Sequence, residues 1–442
     1  MLKLMADHRA RGAPAARSGF VKIFELLVIV MIFLVSNRRA WYCFFVLDST
    51  EYYCEYGTAS TDFLWWGVTA LGILLLLAQK GLMKEYLAGW KASWPLLVFI
   101  LYSSLSLTWT IDINRSFHAV YVLIAASLSA AGLAIMYSRE KIFRLLLWFA
   151  GLTALASLIA VILFPKAAIT QIFYLAGTWR GVFSHKNYMG SVMAFANGLF
   201  LYSFLRGYAR YPVAILSAVF YLLTLFLVVM SQSATGLITL ILLNGLTLGY
   251  FAWLKWGKFL HRKHYVWLAA LSAFTGAAVL LNLKPLLALI GKSPGLTGRV
   301  PLWQYLLQEV VSKRPWLGYG PETLWYERAF QVASGEAAGW GMIVVNSHSG
   351  YMDILVYLGV IGLTIFSGVV IQAVVRALRS ALRAAASTGF LPLLVLAYVL
   401  VANTTISYFL EFESFHWVLL VLVLFIRTSS QDLNLDLGAS KN

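Results

Sequence analysis

The feature that most constrains this sequence is a series of long apolar runs that recur along nearly the whole chain. A helix needs about 20 mostly apolar residues to cross a bilayer, and runs near this length alternate here with polar segments. Hydrophobic residues make up 61% of the 442 residues and charged residues only 12%, which is typical of membrane proteins and not of soluble domains. The sequence therefore predicts an all-α, polytopic integral membrane protein with about 12 transmembrane helices. The expected spans are 20–36, 61–78, 93–109, 117–137, 145–164, 188–205, 213–230, 236–254, 265–282, 350–372, 390–409 and 415–427.

The basic residues predict the orientation of these spans. The net charge is +16, but the Lys and Arg residues lie in short clusters between apolar runs, so we do not expect nucleic acid as a partner. Cytoplasmic loops are enriched in Lys and Arg, and every second polar segment here is clearly the more basic one. These segments are the N-terminus, Lys80/Lys84/Lys91, Arg139/Lys141/Arg144, Arg206/Arg210, Lys255/Lys258/Arg262/Lys263 and Arg376/Arg379/Arg383.

This charge pattern predicts that both termini are cytoplasmic and that the long hydrophilic segment is extracytoplasmic. We expect a cytoplasmic N-terminal segment at 1–19, helices one to nine within 20–282, a large extracytoplasmic loop with short helices at 283–349, helices ten to twelve within 350–427, and a cytoplasmic tail at 428–442. A membrane protein with a single sizeable hydrophilic loop usually works there, so we look for the active site in that loop.

The two cysteines, Cys43 and Cys54, both lie in the first extracytoplasmic segment. In an oxidising compartment they either form a disulfide or stay as two free thiols, and both alternatives remain open. Because no His cluster lies near them, they predict no metal site.

A cluster of cations lies in the predicted extracytoplasmic loop before the sixth span. Arg180, His185 and Lys186 fall within seven residues of one another, on the side where membrane proteins usually carry few Lys and Arg residues. Binding of an anion would explain their presence. The alternative is that Arg180 and Lys186 only extend to lipid headgroups.

The long loop contains Arg299, followed by the amphipathic stretch Val300–Val311. The spacing of its apolar residues fits a helix that lies on the membrane surface with one face in lipid. Such a helix would place Arg299 at its N-terminus, where backbone N–H groups and the guanidinium together can bind a phosphate. The following segment Arg314–Gly320 has the Pro and Gly content of a turn.

His348 precedes the tenth span and is flanked by Asn346 and other small polar residues that can cap a helix. The positive end of a helix dipole disfavours an imidazolium, so His348 should stay neutral and able to accept a proton, as a general base must. Asp353, about one turn later, either orients the imidazole or simply lies at the interface. Gly359 and Gly362 permit a close helix contact.

Together these residues predict a site for a diphosphate-bearing lipid that is attacked by a hydroxyl group. The arginines would neutralise the leaving diphosphate, and the His would accept the proton of the acceptor. The extracytoplasmic loops contain no acidic metal-binding cluster, so we expect a reaction without a metal ion or other cofactor.

The same residues resemble the motifs of the O-antigen ligase and exopolysaccharide polymerase superfamily. His348-Ser349, nine residues, and then Gly359-Val360-Ile361-Gly362 resemble one family motif. The segment Arg180–Gly190 looks like the family pattern RGxFxHKNxxG. The remaining similarities are Thr297–Arg299 with Trp303, Arg314-Pro315 with Gly318–Gly320, and Ser106–Asp112.

This resemblance, which extends over about residues 95–370, implies an inverting, metal-independent glycosyltransferase of the bacterial cytoplasmic (inner) membrane. The donor would be an undecaprenyl-diphosphate-linked oligosaccharide, and the acceptor a glycan or a second lipid-linked unit. Arg180 and Arg299 would bind the diphosphate and act in catalysis, and His348 would be the base. His185, Lys186, Asn187 and Asn346 are the further expected substrate-binding residues. Other proteins of polysaccharide assembly or export are expected partners besides the lipid bilayer.

The acceptor remains open at this stage. The His185-Lys186-Asn187 form of the first motif is more similar to the exopolysaccharide polymerases, whereas a ligase would pass the glycan to lipid A core or another acceptor. A transporter or flippase of the same lipid would need ionisable groups deep in its spans. The mid-span polar residues are mostly uncharged instead, as at Asn197, Asn244 and Asn403. A scaffold of an export complex would give no reason for extracytoplasmic arginines.

Overall fold

The computed structural model of the protein describes residues 59–78, 81–171, 175–206, 211–256, 298–383, 388–409 and 415–426. The predicted spans 20–36 and 265–282, both cysteines and both predicted terminal segments lie outside the described residues. Within the described ranges the chain is helical and contains no β-strand, apart from one isolated bridge between Ile169 and Trp179.

The described helices are α1 (Ala59–Ala78), α2 (Leu82–Ala92), α3 (Trp94–Leu105), α4 (Ile113–Met136), α5 (Arg139–Leu163), α6 (Pro165–Ala168), α7 (Lys186–Leu205), α8 (Tyr211–Ser231), α9 (Ala234–Trp256), α10 (Arg299–Tyr305), α11 (Arg328–Ala337), α12 (Gly350–Arg383), α13 (Leu391–Ala402) and α14 (Phe415–Phe425). Side-chain caps mark several of their beginnings, as expected for Asp and Ser before a helix. Asp112 accepts hydrogen bonds from the first backbone N–H groups of α4, and Ser138 accepts one at the start of α5.

Six of the described helices are long and apolar enough to cross a membrane, namely α4, α5, α7, α8, α9 and α12. The helices α3, α13 and α14 are apolar but shorter. The prediction of a helical membrane fold is therefore confirmed, while the total of about 12 spans stays a prediction.

Two segments differ from the expectation for spans and loops. The basic segment around Lys84 and Lys91 is helix α2, whose Tyr86 and Trp90 are buried against the helices beside it. The predicted span 390–409 ends as a helix at Ala402, because Asn403 stops it. The Asn403 Oδ1 atom accepts the backbone N–H of Tyr408 at 3.0 Å and so closes a turn instead of continuing the helix.

Helices α7 and α9 cross at two glycines. A Cβ atom added to Gly236 would lie 2.7 Å from the backbone carbon of Gly190, and one added to Gly190 would lie 2.6 Å from the Cβ of Ser233. No larger residue fits at this crossing without a shift of the backbone. Deeper between the helices, the fully buried Asn197 accepts a hydrogen bond from Asn244 Nδ2 at 2.9 Å.

Helix α12 is broken at Gly359, which has φ 66° and ψ −170°. A loop fills the break: the N–H of Val360 donates to the carbonyl of Pro315 at 2.8 Å, and the N–H of Gly320 donates to the carbonyl of Tyr357 at 2.9 Å. The close contact expected at Gly359 therefore exists, but its partner is the 315–320 turn and not another helix. A Cβ on Gly359 would lie 2.2 Å from the carbonyl oxygen of Trp316, so only glycine is tolerated.

The amphipathic stretch after Arg299 is helical, but most of its apolar residues pack against the protein. Leu302, Leu306, Val310 and Val311 are buried in the protein core, whereas Val300 and Leu307 are exposed. The helix widens into a π-helical turn over Leu306–Val310. The expectation of an apolar face in lipid is therefore wrong for Leu302 and Leu306, which the protein itself covers, and stays a prediction for the exposed Leu307.

Candidate functional site

Two segments form the site, and the first is 180–187. Arg180 is held there by hydrogen bonds from its own backbone N–H and from its guanidinium. The N–H of Arg180 donates to the carbonyl of Ala168 at 2.8 Å. Its Nε donates to the carbonyl of Ala167 at 2.6 Å, and its Nη1 to the carbonyl of Ser184 at 3.3 Å. The guanidinium is half-buried, and this burial lowers the pKa of Arg180 from its ordinary value. Its charge is therefore held in one place by two carbonyl oxygens.

His185 caps the N-terminus of α7. Its Nδ1 accepts the backbone N–H of Asn187 at 3.1 Å, so the proton of the neutral ring is on Nε2. Burial, followed by the positive charges of Lys186, Arg299 and Arg180, lowers the pKa of His185 to about 3. His185 is consequently neutral at physiological pH.

Lys186 and Asn187 connect α7 to the turn between α8 and α9. Lys186 is buried, and its Nζ donates to the carbonyl of Gln232 at 3.3 Å. The Asn187 Oδ1 accepts the hydroxyl of Ser233 at 3.0 Å. Both residues, expected to bind substrate, thus contact the 231–235 turn.

Arg299 lies at the beginning of α10, directly after Gly298 in a left-handed conformation (φ 90°). Its guanidinium is half-buried, and burial lowers the pKa of Arg299 to about 10, so the side chain remains charged near neutral pH. Within the described ranges no protein group lies at hydrogen-bond distance from this guanidinium. Its charge also lowers the pKa of both His185 and His348, so Arg299 is near enough to both imidazoles to disfavour their protonation.

His348 is in a left-handed backbone conformation, with φ 55°. This region is uncommon for residues other than glycine, and such strain is often found at functional sites. The backbone N–H of His348 donates to Asn346 Oδ1 at 3.0 Å, which is how Asn346 contributes. The imidazole lies edge-to-face against Trp340, with ring centroids 5.0 Å apart.

The imidazole of His348 is kept neutral, as the sequence predicted, but for different reasons. Its pKa is lowered well below 6.5 by burial first, and then by Arg299 and His185. The expected cause was the N-terminus of the following helix. A neutral imidazole can accept a proton, which is what a general base needs.

Asp353 holds the backbone that precedes His348. This carboxylate is 2% exposed, and its Oδ1 accepts the N–H of Ser347 at 3.1 Å and the indole N–H of Trp325 at 3.2 Å. The indole N–H of Trp303 donates to the carbonyl of Ser347 at 2.8 Å. Both hydrogen bonds fix the backbone before His348, which differs from either role considered for Asp353, orienting the imidazole or simply lying at the interface.

Sequence reasoning missed Trp325 and Trp340. Both lie in the 322–342 segment, which has no apolar periodicity and no recognisable motif. Their contacts with Asp353 and His348 depend on how the loop folds back on α12. No signal in the sequence alone would have identified them.

The site as a whole combines fixed positive charge with neutral imidazoles. Arg180, Lys186 and Arg299 supply the charge, and His185 and His348 remain neutral. Among the residues described by the structure, no group of His, Cys, Asp or Glu side chains comes together as a metal site. Such an arrangement can bind an anion and accept a proton beside it.

One comparison with known proteins bears on this site. Residues 219–367 match a family model described as O-antigen ligase. The matched part includes Arg299 and His348 and begins after Arg180. The curated proteins contain no match to the chain.

Proposed function

We propose that this chain belongs to the O-antigen ligase and polymerase superfamily, as the match of residues 219–367 supports, and that it is a glycosyltransferase of the bacterial cytoplasmic (inner) membrane. It transfers a glycan from an undecaprenyl-diphosphate carrier at the extracytoplasmic face. The observation that carries the proposal is that α10, which begins at Arg299, is bonded to the residue before His348, because the indole N–H of Trp303 donates to the carbonyl of Ser347 at 2.8 Å. The charge of Arg299 also lowers the pKa of both His185 and His348. A bound diphosphate at Arg299 would thus have a neutral imidazole beside it.

The donor diphosphate would be held by Arg299 and Arg180. The Arg299 guanidinium is half-buried, where a charged hydrogen bond is stronger than in water. Arg180 would add its remaining N–H groups, and the buried Lys186 would add positive charge. Cations that face the leaving group stabilise the negative charge that develops there in the transition state.

His348 would act as the base. It accepts the proton of the acceptor hydroxyl while that oxygen forms a bond to the anomeric carbon of the donor sugar. The bond from the anomeric carbon to the diphosphate oxygen breaks, and its electron pair leaves with the lipid diphosphate. Attack from the side opposite the leaving group inverts the anomeric configuration. The imidazolium then loses its proton to solvent.

Two acceptor classes are supported by different observations. The His185-Lys186-Asn187 form of the first motif is more similar to the polymerases, for which the acceptor is a second lipid-linked repeat unit. The family model that matches is described as O-antigen ligase, and a ligase would use lipid A core or another acceptor. We favour the polymerase, with the ligase as the alternative.

Purified protein with defined substrates tests both possibilities. The protein is incubated with lipid-linked repeat units alone, and in parallel with each candidate acceptor. A ladder of products from repeat units alone supports the polymerase, whereas a product formed only with lipid A core supports the ligase. If no sugar is transferred to any acceptor while the donor moves between leaflets of proteoliposomes, the chain is a flippase instead.

The proposed reaction does not use a metal ion. Treatment of the purified enzyme with a chelator should leave the transfer rate unchanged. Inhibition that is reversed by one particular divalent cation would contradict this part of the mechanism.

A further inference from the structure

The part of the long loop between Gly320 and Asn346 has no role in the donor chemistry described above, yet it forms a wall of the site. This part contains α11 and the turn at 338–341. The turn is tied to the helix by a hydrogen bond from the N–H of Trp340 to the carbonyl of Gly335, at 3.0 Å. The turn lies next to His348, through Trp340.

Trp340 contacts both halves of the reactive centre. On one side its ring lies 5.0 Å from the imidazole of His348, with the ring planes at 83°. On the other side the indole packs against Gly298, where an added Cβ would lie only 2.2 Å from the indole Nε1. Gly298 is the residue before Arg299. Trp340 therefore lies between the residue that would hold the diphosphate and the residue that would act as base.

Two glycines flank Trp340 in this turn. Gly339 and Gly341 both have positive φ, and among the described residues a Cβ added to either would meet nothing within 4 Å. The indole itself is half-buried. No described residue therefore packs against these two glycines, while the indole between them is fixed against Gly298 and His348.

We propose that Trp340 is the platform on which the sugar ring of the acceptor lies during transfer. The inference rests on the proposed function, because it takes His348 as the base. A hydroxyl that gives its proton to His348 must come within about 3 Å of the imidazole. The sugar that carries this hydroxyl is therefore beside Trp340. An indole offers a large, rigid apolar surface with few rotatable bonds, which suits the C–H face of a pyranose ring.

The test is a kinetic comparison of the full-length enzyme with Trp340→Leu and Trp340→Phe. At saturating lipid-linked donor, acceptor is titrated, and the KM for acceptor and kcat are measured separately. We expect Trp340→Leu to raise the acceptor KM about tenfold, as loss of an aromatic contact should. Trp340→Phe retains an aromatic face and should raise the acceptor KM only about threefold. The KM for donor should stay within about twofold of the wild-type value in both variants, because in this proposal Trp340 contacts only the acceptor sugar.

Trp316→Leu is the matched control, because Trp316 is exposed and belongs to the 315–320 turn away from His348. It should leave both constants unchanged. A fall in kcat with an unchanged acceptor KM in Trp340→Phe would show that Trp340 only supports the packing around Gly298, and would overturn the proposal. The same conclusion would follow if both Trp340 variants behaved like the wild type. Absence of transfer by the wild-type enzyme to every acceptor would instead refute the proposed function.

Discussion

The two segments that form the site use their polar side chains in different ways. In the first, Arg180 donates to two backbone carbonyls, Lys186 donates to another, and His185 caps α7. In the second, within the described ranges, neither the Arg299 guanidinium nor the His348 ring has a hydrogen-bond partner. The polar groups of the first segment are therefore engaged by the protein itself, whereas those of the second are available for the ligand that we propose. Substitutions in the two segments should consequently differ in how much they lower transfer activity and how much they lower stability.

Arg299→Lys should have the largest effect in this comparison. A Lys keeps the charge but cannot make the forked contact of a guanidinium with a phosphate. We expect transfer, measured as kcat/KM for donor, to fall about 100-fold. The melting temperature should stay unchanged, because Arg299 bonds to no described protein group. Wild-type turnover in this variant would argue against direct recognition of the diphosphate.

Arg180→Lys should lose less activity but more stability. Its guanidinium bonds to the carbonyls of Ala167 and Ser184, and one ammonium group cannot reach both. We expect about a tenfold loss of transfer and a melting temperature lower by about 2–4 °C, measured by thermal unfolding in detergent. If Arg180→Lys resembled Arg299→Lys, with a 100-fold loss and full stability, the distinction between the two segments would be wrong.

His185→Asn should have a smaller effect still. Asn is as good a helix cap as the imidazole that it replaces, so the start of α7 is preserved. Only the Nε2 donor is lost, and one neutral hydrogen bond corresponds to about a fivefold loss in kcat/KM. A loss as large as that of Arg299→Lys would mean that His185 takes part in the chemistry.

A change of pH should alter kcat/KM less than any of these three substitutions. The folded pKa of His348 is well below 6.5, so the base stays neutral above that lowered pKa and is protonated only when the pH falls through it. Between pH 7.5 and 5.5 we expect kcat/KM to change less than about twofold. An ordinary imidazole would lose about tenfold over this range. A half-maximal rate near pH 6.5 would contradict the electrostatic description of the site.

The sequence allowed Arg180, Arg299 and His348 to be selected, because each lies in a recognisable segment beside an apolar run. The contacts that organise them could not be predicted. The turn at His348 has a left-handed backbone that no periodicity indicates, and Asp353 acts on it through Ser347. The role of Trp340 likewise depends on a loop that folds back over α12. Apolar runs predict helices well because burial follows a repeating pattern, whereas such loop contacts follow none.

Two glycines likewise show that the sequence predicts a close contact but not its partner. Gly190 was part of a motif, but its reason became visible only when α9 was found against it at Gly236. Gly359 was expected to permit helix packing, and the structure shows a break filled by the 315–320 turn. In both cases the sequence indicated that something approaches closely. It did not indicate which part of the chain makes this approach.

The most direct test of the account is the transfer activity of purified His348→Ala. The variant is assayed with lipid-linked donor and acceptor, and donor binding is measured in the same preparation. We predict a fall in transfer of about 10²–10⁴-fold, with donor affinity and membrane insertion unchanged, because Arg180 and Arg299 remain in place. Products of wild-type length at a wild-type rate would contradict the central claim that His348 is the base.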